Sequence, residues 1–315
     1  MGDHGDTTAA PAERGVIGFA DVVEGLRLRL GGAVRGLLTG DERSSMAPFE
    51  SPPGDPGLLG PDSVAWRVHS DIAGLIGGLR ALLLQTMHPL AMAGVAEHSD
   101  YRDDPWGRLH RTAGFVGVTT FGSTDAARRA IAQVRAVHDV VEGVAPDGRR
   151  YSANDPDLLR WVHATEVDSF VKAVDAYGTV ELTGSEIDQY LDEMSVVALE
   201  LGADWVPRSR QELRSYWRSV RPELRVGPQA REATRFLVNP PVPLWARPAY
   251  GVITAAAVST LPAFVRRSLR LPKLPVVDAV AVRPAASSLM RVLGWSLGNS
   301  PAGDAARRRA GASTS

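Results

Sequence analysis

The sequence predicts an all-α fold with a single multi-helix domain, and three observations support this prediction. Apolar residues recur at the helical spacing of three and four in several long segments. Capping residues and prolines stand where these segments begin. No strand pair is convincing, and no period of 20–50 residues repeats along the chain.

The first half of the chain predicts a leader followed by helices. Residues 1–14 are polar and rich in Gly, Asp and Thr, so we expect them to be a disordered leader. A helical pattern covers 17–38, and a stronger one begins at Asp62 or Ser63 and runs to His88, where Pro89 disfavours continuation. The segment 109–121 is predicted to be a helix despite its β-branched residues.

The second half predicts a longer series of helices. Ser123 or Thr124 caps one of them, and Asn154 or Asp155, followed by Pro156, caps the next, which extends to about Tyr177. We expect the domain to cover 15–300 and residues 301–315 to form a disordered tail. The remaining predicted helices are 186–201, 207–220, 228–237 and two or three between 244 and 297.

Composition excludes several classes of protein. The chain has 315 residues with a formal net charge of -1, which argues against a nucleic-acid-binding protein. It contains no cysteine, so iron–sulfur clusters, thiolate-ligated haem and cysteine nucleophiles are excluded. Any metal ligand must come from His, carboxylate, Tyr or Met side chains.

Nothing in the sequence predicts a membrane span. The N-terminus lacks the apolar segment of a signal peptide, so a cytoplasmic location is expected. The longest apolar run, 250–265, is interrupted by Thr, Ser and Pro and is shorter than the roughly 20 residues that a spanning helix needs. We expect a buried helix there, with peripheral membrane contact as an open alternative.

The segment around His88 is the first candidate site. Arg80, Leu84 and His88 follow each other at intervals of four, so they share one stripe of the predicted helix. Polar groups among apolar residues need partners or a ligand when they are buried. Spacing alone favours a simpler interpretation, in which His88 supports the last carbonyls of a helix.

A second candidate combines His88 with Glu97 and His98. Two histidines and a carboxylate are the ligand set of non-haem iron oxygenases. A loop is predicted between His88 and His98, however, so a surface role for the Glu97-His98 pair is the favoured interpretation.

The third candidate is His163, which lies in the middle of a predicted helix between apolar residues. Arg160 is one turn earlier, and the small Ala164 follows directly. Neutral imidazole is a good iron ligand, and a guanidinium group can bind a carboxylate. A lone histidine on an apolar helix face is, on spacing alone, more often a satisfied core residue.

Four segments of the chain together resemble one known family, the MpaB/rubber oxygenase catalytic domains. The resemblance extends well over 62–225 and more loosely over the C-terminal helices. The segments are Gln85–Ser99, Asp104–Thr112, Tyr151–Ala153 and Trp161–Thr165. It implies an all-α fold similar to the core of latex clearing protein, a family member that uses haem b and dioxygen to cleave polyisoprene.

The resemblance implies a role for His163. The family places its proximal haem ligand in an Arg-x-x-His-Ala motif, which Arg160, His163 and Ala164 match. His163 is therefore expected to be the axial ligand of haem b. The chain is expected to be an oxygenase that acts with dioxygen on a small apolar substrate, such as an isoprenoid or prenylated compound.

The resemblance also suggests distal and peripheral residues. The family uses an Arg, Lys and Thr cluster on the distal side; Arg80 and Thr86 are the candidates here, although the spacing differs and no Lys matches. His88 is the candidate to face the open coordination position or to bind iron there. Arg80 and His88 are the predicted catalytic residues, expected to donate a hydrogen bond to bound dioxygen. Arg108 and Arg111 are candidates to bind the haem propionates, with surface ion pairs as their alternative role.

Two further interpretations stay open. The same scaffold can serve a non-catalytic protein that binds haem or a lipophilic ligand, or it can have lost the cofactor altogether. The sequence identifies neither the substrate nor the electron donor, and it leaves the oligomeric state undetermined.

Overall fold

A computed structural model describes residues 46–272 and 275–311, together with 24, 25, 27–29, 31–33 and 36. The predicted leader, 1–14, lies outside the described residues. So does most of the predicted helix over 17–38.

The described part of the chain is almost entirely helical, which confirms the predicted fold class. Its helices are α1 (Ala47–Glu50), α2 (Val64–Ser70), α3 (Gly74–Gln85), α4 (Pro89–His98), α5 (Pro105–Phe121), α6 (Thr124–His138), α7 (Pro156–Tyr177), α8 (Gly184–Leu201), α9 (Arg210–Val220), α10 (Pro228–Val238), α11 (Arg247–Thr260), α12 (Ala263–Ser268), α13 (Pro275–Val277), α14 (Arg283–Leu297) and α15 (Pro301–Ala310). Strands β1 (Glu142–Val144) and β2 (Arg150–Ser152) follow α6; 3₁₀ turns cover Arg221–Glu223 and Leu244–Ala246, and a π-helical stretch covers Asp278–Val282.

The core is built around α3 and α7, which have the most extensive contact of any helix pair in the described residues. Two glycines of α3 make this close approach feasible. A Cβ atom at Gly74 or Gly77 would lie only 3.2 Å from atoms of Phe170 on α7. Helices α11 and α14 cover the other sides of this pair. The result is one large apolar core that contains Trp161, Ala164 and Tyr190.

A second group of helices frames the opposite side of α7. Helix α5 packs against α6, α6 against α8, and α8 against α7. Helix α5 is also connected to the core through α2, whereas it does not pack extensively against α7. Helices α8 and α2 therefore contact α7 directly, while α5 and α6 are connected to it through them.

The capping residues explain where several helices begin. Ser123 caps α6 by accepting from the Ala126 N–H, and Asp155 caps α7 with Pro156 in its first turn. Thr183 and Glu186 form a complete capping box at the start of α8. The helix starts predicted at Ser123 and Asp155 are confirmed.

The helix predicted from Asp62 to His88 is two helices, α2 and α3. The break is at Asp71, whose carboxylate is buried and accepts from the N–H groups of Ala73, Thr179 and Val180. An aspartate that binds backbone amides in this way competes with helix continuation. Its partners at 179 and 180 are more than 100 residues away, so the local pattern did not reveal the break.

A β-hairpin that the pattern did not predict connects α6 to α7. Gly143 of β1 pairs with Tyr151 of β2 in antiparallel register. The connecting turn contains Pro146, Asp147 and Gly148, and Gly148 has a φ of 86°. A Pro-Asp-Gly sequence is a turn signal, and it was the available clue.

The C-terminal segment differs from the tail expected over 301–315. Residues Pro301–Ala310 form α15, which packs against α1 and α5, while 312–315 lie outside the described residues. Arg309 is buried and donates hydrogen bonds to the carbonyls of Asp55, Phe49, Phe121 and others nearby. The basic run that suggested a solvated tail therefore contains a buried anchor.

The apolar run over 250–265 forms most of α11 and the start of α12, and Ala256 and Ala257 are fully buried in the main core. Across the described residues, every helix is too short or too polar to cross a membrane. The run therefore packs against the core as expected, but it is divided between two helices at Leu261 and Pro262.

Candidate functional site

Helix α7 presents two faces with different polar groups. Residues of an α-helix turn by about 100° each, so His163, Glu166 and Phe170 form one stripe, while Trp161 lies roughly 200° away from His163. The His163 stripe contacts α8 and α2, since Leu159 packs against Ala198 and Phe170 contacts His69. At Phe170 it also meets Gly74 and Gly77 of α3. The Trp161 side belongs to the contact with α3.

His163 is buried, and its Nε2 atom has no hydrogen-bond partner among the described residues. Burial lowers the pKa of His163 to about 4, so the imidazole is neutral at physiological pH. A buried polar atom without a partner costs free energy, and His163 Nε2 is one of seven such side-chain atoms among the described residues. A neutral imidazole nitrogen with a free lone pair is also able to bind a metal ion.

Glu166 lies one turn after His163 on the same stripe. It is half-buried and forms no hydrogen bond or ion pair with the described residues. Burial raises the pKa of Glu166 to about 7, so both protonation states are populated near neutral pH. This carboxyl group is therefore able to release or accept a proton beside His163.

His69 connects α2 to this stripe. Its Nδ1 lies 2.6 Å from Thr120 Oγ1 of α5, and its Nε2 lies 3.0 Å from the hydroxyl of Tyr190 on α8. The ring is also 4.8 Å from that of Phe170. Burial lowers the pKa of His69 to about 4. His69 thus has two partners for its two nitrogens, whereas His163 has none for Nε2.

Arg160 has its guanidinium fully engaged. It forms ion pairs with Asp157 and Asp204, donates from Nε to the Trp205 carbonyl at 3.0 Å, and stacks over the Trp205 ring at 4.3 Å. These contacts fix the N-terminal end of α7 against the segment after α8. The cofactor-binding role predicted for Arg160 would need this network to open.

Arg80 lies on the other side of α7. Its guanidinium is fully buried, 2.9 Å from the Asp168 carboxylate and 2.7 Å from Ser169 Oγ, and its Nε donates to the Thr260 carbonyl at 3.3 Å. Asp168 and Ser169 stand about 140° and 240° around the helix from His163. The structure therefore does not bring Arg80 onto the His163 face of α7.

His88 is the N-cap of α4 and does not lie in the last turn of the preceding helix. Helix α3 ends at Gln85, and His88 Nδ1 accepts from the Ala91 N–H at 3.4 Å. Its ring packs against Trp161 with centroids 5.8 Å apart, and its Nε2 lies 3.8 Å from Glu223. Since Trp161 and His163 point in nearly opposite directions, His88 and His163 are not on a common face.

Thr86 and Ala164 also have structural partners. The Thr86 hydroxyl is buried and donates to the Leu83 carbonyl at 2.8 Å, which closes the end of α3. Ala164 is fully buried in the main core. Ala164 therefore packs against apolar side chains and does not border open space beside the imidazole.

Arg108 and Arg111 lie on the N-terminal part of α5. Arg108 is half-buried, donates to Ser99 Oγ at 2.6 Å, and has no carboxylate partner among the described residues. Burial lowers its pKa, and the nearby Arg111 lowers it further. Arg111 is exposed and lies 3.3 Å from Asp104. Of the two arginines, only Arg111 has a carboxylate partner among the described residues, so the Arg108 charge is available to an anionic group.

The non-haem iron interpretation finds no support in the described residues. His88 and His98 stand at opposite ends of α4, roughly 15 Å apart along its axis. His98 Nε2 lies 3.1 Å from the Tyr151 hydroxyl, which also contacts Glu97. The described part of the chain holds no cluster of three or more His or carboxylate side chains arranged to bind a metal ion.

Sequence reasoning assigned no role to Glu166 or His69. Glu166 follows His163 at a spacing of three within an otherwise apolar stripe, and that spacing was the signal available. His69 was not detectable in this way, because its partners Thr120 and Tyr190 come from helices far away in the sequence.

A sequence model of one protein family matches residues 66–295. The family is described as ER-bound oxygenase mpaB/B'/Rubber oxygenase, catalytic domain. The match confirms the resemblance found from the motifs, and it includes every predicted site residue. No curated protein and no solved structure matches the chain significantly.

Proposed function

Because the chain belongs to the family of mpaB and rubber oxygenase catalytic domains, we propose that it is a haem b oxygenase in which His163 is the axial ligand. The proposed substrate is a small apolar compound, such as an isoprenoid or prenylated molecule, and the co-substrate is dioxygen. The proposal goes beyond the family match, which supports oxygenase activity but specifies neither the cofactor nor the substrate.

The unpartnered Nε2 of His163 is the observation that carries the proposal. The atom is buried, the imidazole is neutral, and the described residues offer it no hydrogen bond. A bound iron would satisfy this atom and remove the cost of burying it. The donor chemistry at His163 therefore fits haem b, and the absence of cysteine leaves histidine as a natural axial ligand.

Haem b, when bound, supplies the iron chemistry that activates dioxygen. The chain's own residues hold and position the reactants. Arg108 carries a half-buried positive charge without a carboxylate partner among the described residues, which suits the binding of a propionate. Glu166 is able to hold or release a proton one turn from His163, because its pKa lies near 7.

An apolar substrate is consistent with the open surface of α5. Leu109 is 39% exposed, and a Cβ atom at Gly114 or Gly117 would meet no other described residue within 4 Å, apart from the backbone of α5 itself. Helix α5 thus presents small and apolar groups with free space beside them. Such a surface suits a flat cofactor or an apolar ligand more than a polar one.

Arg80 and His88 receive a positioning role in this proposal. Arg80 holds α7 against α3 and α11 through Asp168 and Ser169, and His88 holds α4 against Trp161. Both therefore fix α7, which carries His163. Arg160 acts in the same way at the N-terminal end of the helix.

The test is an absorption spectrum of the purified chain after haem titration. The proposal predicts a Soret band with one haem per chain that is lost in His163→Ala. His88→Ala is the matched control, since it removes a second buried histidine and is expected to leave the band in place. A chain that stays colourless with excess haem, or a band unaffected by His163→Ala, would contradict the proposal.

Oxygen consumption then separates turnover from simple binding. The haem-loaded chain, supplied with a reductant and a short isoprenoid, is expected to consume oxygen above the rate without isoprenoid. An intact Soret band together with no substrate-dependent consumption by any isoprenoid tested would favour the non-catalytic binding protein.

A further inference from the structure

A rigid turn between α10 and α11 exposes two large apolar side chains. Leu244 is 75% exposed and Trp245 is 58% exposed. Single exposed apolar residues are ordinary, but an adjacent Leu and Trp at the tip of one turn are not. We name the segment 241–247 the apolar turn.

The apolar turn is held in shape by its neighbours. Val242 and Ala246 are buried, and the Ala246 N–H donates to the Pro243 carbonyl at 2.9 Å. Prolines on both sides restrict the backbone further. The two side chains at the tip are therefore presented by a preorganised backbone, so little conformational freedom is lost when they bind something.

The sequence on both sides of the turn is basic. Between Glu232 and Asp278 the chain contains no acidic residue, although its overall formal charge is -1. Exposed Arg247 directly follows the turn, and exposed Arg235 lies on the last turn of α10. The other basic residues of this interval are Arg266, Arg267, Arg270 and Lys273, of which Arg266 is buried and paired with Asp278.

An apolar groove adjoins the turn. It has a volume of about 460 Å³ and is lined mainly by the turn itself, with Trp106 of α5 on its other side. Arg247 stands at its edge. An apolar chain with an anionic head group would find both of its parts matched here.

We propose that the apolar turn docks the protein onto the surface of a membrane that contains anionic lipid. Tryptophan and leucine flanked by arginine are the residue types that enter the interface between head groups and acyl chains. Such binding strengthens with the apolar area that enters the interface and with the attraction of each arginine to anionic lipid, about fivefold in affinity per basic residue. A stable interface between two proteins usually needs about 800 Å² from each partner, far more than this turn exposes.

This surface differs from the one expected over 250–265. That run is buried in α11 and α12, and the exposed groups lie just before it. The proposal does not depend on haem or on catalysis, and so its test uses the full chain without cofactor.

The test is sedimentation with vesicles of phosphatidylcholine alone and with about one-third phosphatidylglycerol. We expect binding to the anionic vesicles that weakens as salt is added, because the arginines contribute through charge. The double variant Leu244→Ser/Trp245→Ser should bind about tenfold more weakly or worse. Arg247→Gln should bind the anionic vesicles about fivefold more weakly, and its binding to phosphatidylcholine vesicles should be unchanged.

Matched controls come from elsewhere on the surface. Val137→Ser/Val140→Ser removes two exposed apolar side chains near the end of α6, and Arg214→Gln removes an exposed arginine from α9. Both should bind as the wild-type chain does. Since all of the altered side chains are exposed, circular dichroism should show the same fold for every variant.

Brominated lipid provides an independent readout of insertion. It should quench the fluorescence of the wild-type chain more than that of Trp245→Phe. Equal binding of the wild-type chain and the double variant, or no binding to anionic vesicles, would overturn the proposal. The proposal would also fail if the wild-type chain formed a dimer that bound no vesicles, and the double variant were a monomer.

Discussion

On one face of α7, Arg80 is completely satisfied by Asp168, Ser169 and a backbone carbonyl. On the other face, His163 Nε2 and the Glu166 carboxyl group have no hydrogen-bond partner among the described residues. Each face carries polar side chains among apolar residues, so the sequence pattern alone did not distinguish the two. The difference teaches that a satisfied buried charge maintains the fold, while a neutral imidazole nitrogen without a partner is available to a ligand.

The largest expected effect is on stability, and it follows from removing Arg80, the satisfied charge. Arg80→Met leaves Asp168 without its partner, and the free energy of unfolding should fall by about 3–5 kcal/mol. Chemical denaturation measures this change. The double variant Arg80→Met/Asp168→Leu removes both charges and should recover most of the loss. A single variant as stable as the wild-type chain would show that the ion pair has no structural role.

The second effect concerns the unsatisfied face and depends on pH. The pKa of Glu166 is raised from an ordinary 4.5 to about 7, so the folded chain holds this proton more tightly than the unfolded chain. The stability that this proton provides is complete below pH 4.5 and is lost as the pH rises through 7. Relative to Glu166→Gln, the wild-type chain should lose up to about 3 kcal/mol across that window.

Denaturation of the two proteins without haem, at a series of pH values, gives this difference directly. Buried His69 has the opposite dependence: its pKa is lowered to about 4, so its contribution is lost as the pH falls from 6.5. Because Glu166→Gln retains His69, the comparison cancels that contribution. A constant difference between the two proteins from pH 4.5 to 7 would contradict the account of Glu166.

The smallest effect concerns His88. His88→Ala removes the N-cap of α4 and a contact with Trp161, and the free energy of unfolding should fall by about 1–2 kcal/mol. His88→Asn should recover part of this, because asparagine is a good N-cap. Thermal unfolding checks both variants. If Asn were no better than Ala, capping would not be the role of His88.

Local rules predicted much of the fold. Ser123 and Asp155 marked the starts of α6 and α7 because a capping side chain acts within three residues of its helix. The break at Asp71 was missed because the carboxylate binds backbone amides at 179 and 180. A sequence pattern does not contain contacts of that separation.

The candidate site was predictable only in part for the same reason. His163 was found through a motif of neighbouring residues, Arg160-x-x-His163-Ala164. The assignment of Arg80 to the distal side rested on the family resemblance, and its apolar surroundings are shared by buried ion pairs and by ligand sites. Only the position of Asp168 on the far side of α7 distinguishes the two.

The central claim is that His163 Nε2 is the iron ligand, and imidazole rescue tests it most directly. His163→Gly and the matched His88→Gly are titrated with haem in the presence and absence of free imidazole. We expect His163→Gly to bind haem only with imidazole and to regain the wild-type Soret band, while His88→Gly binds without it. Haem binding by His163→Gly without imidazole, with loss of the band in His88→Gly, would contradict the account.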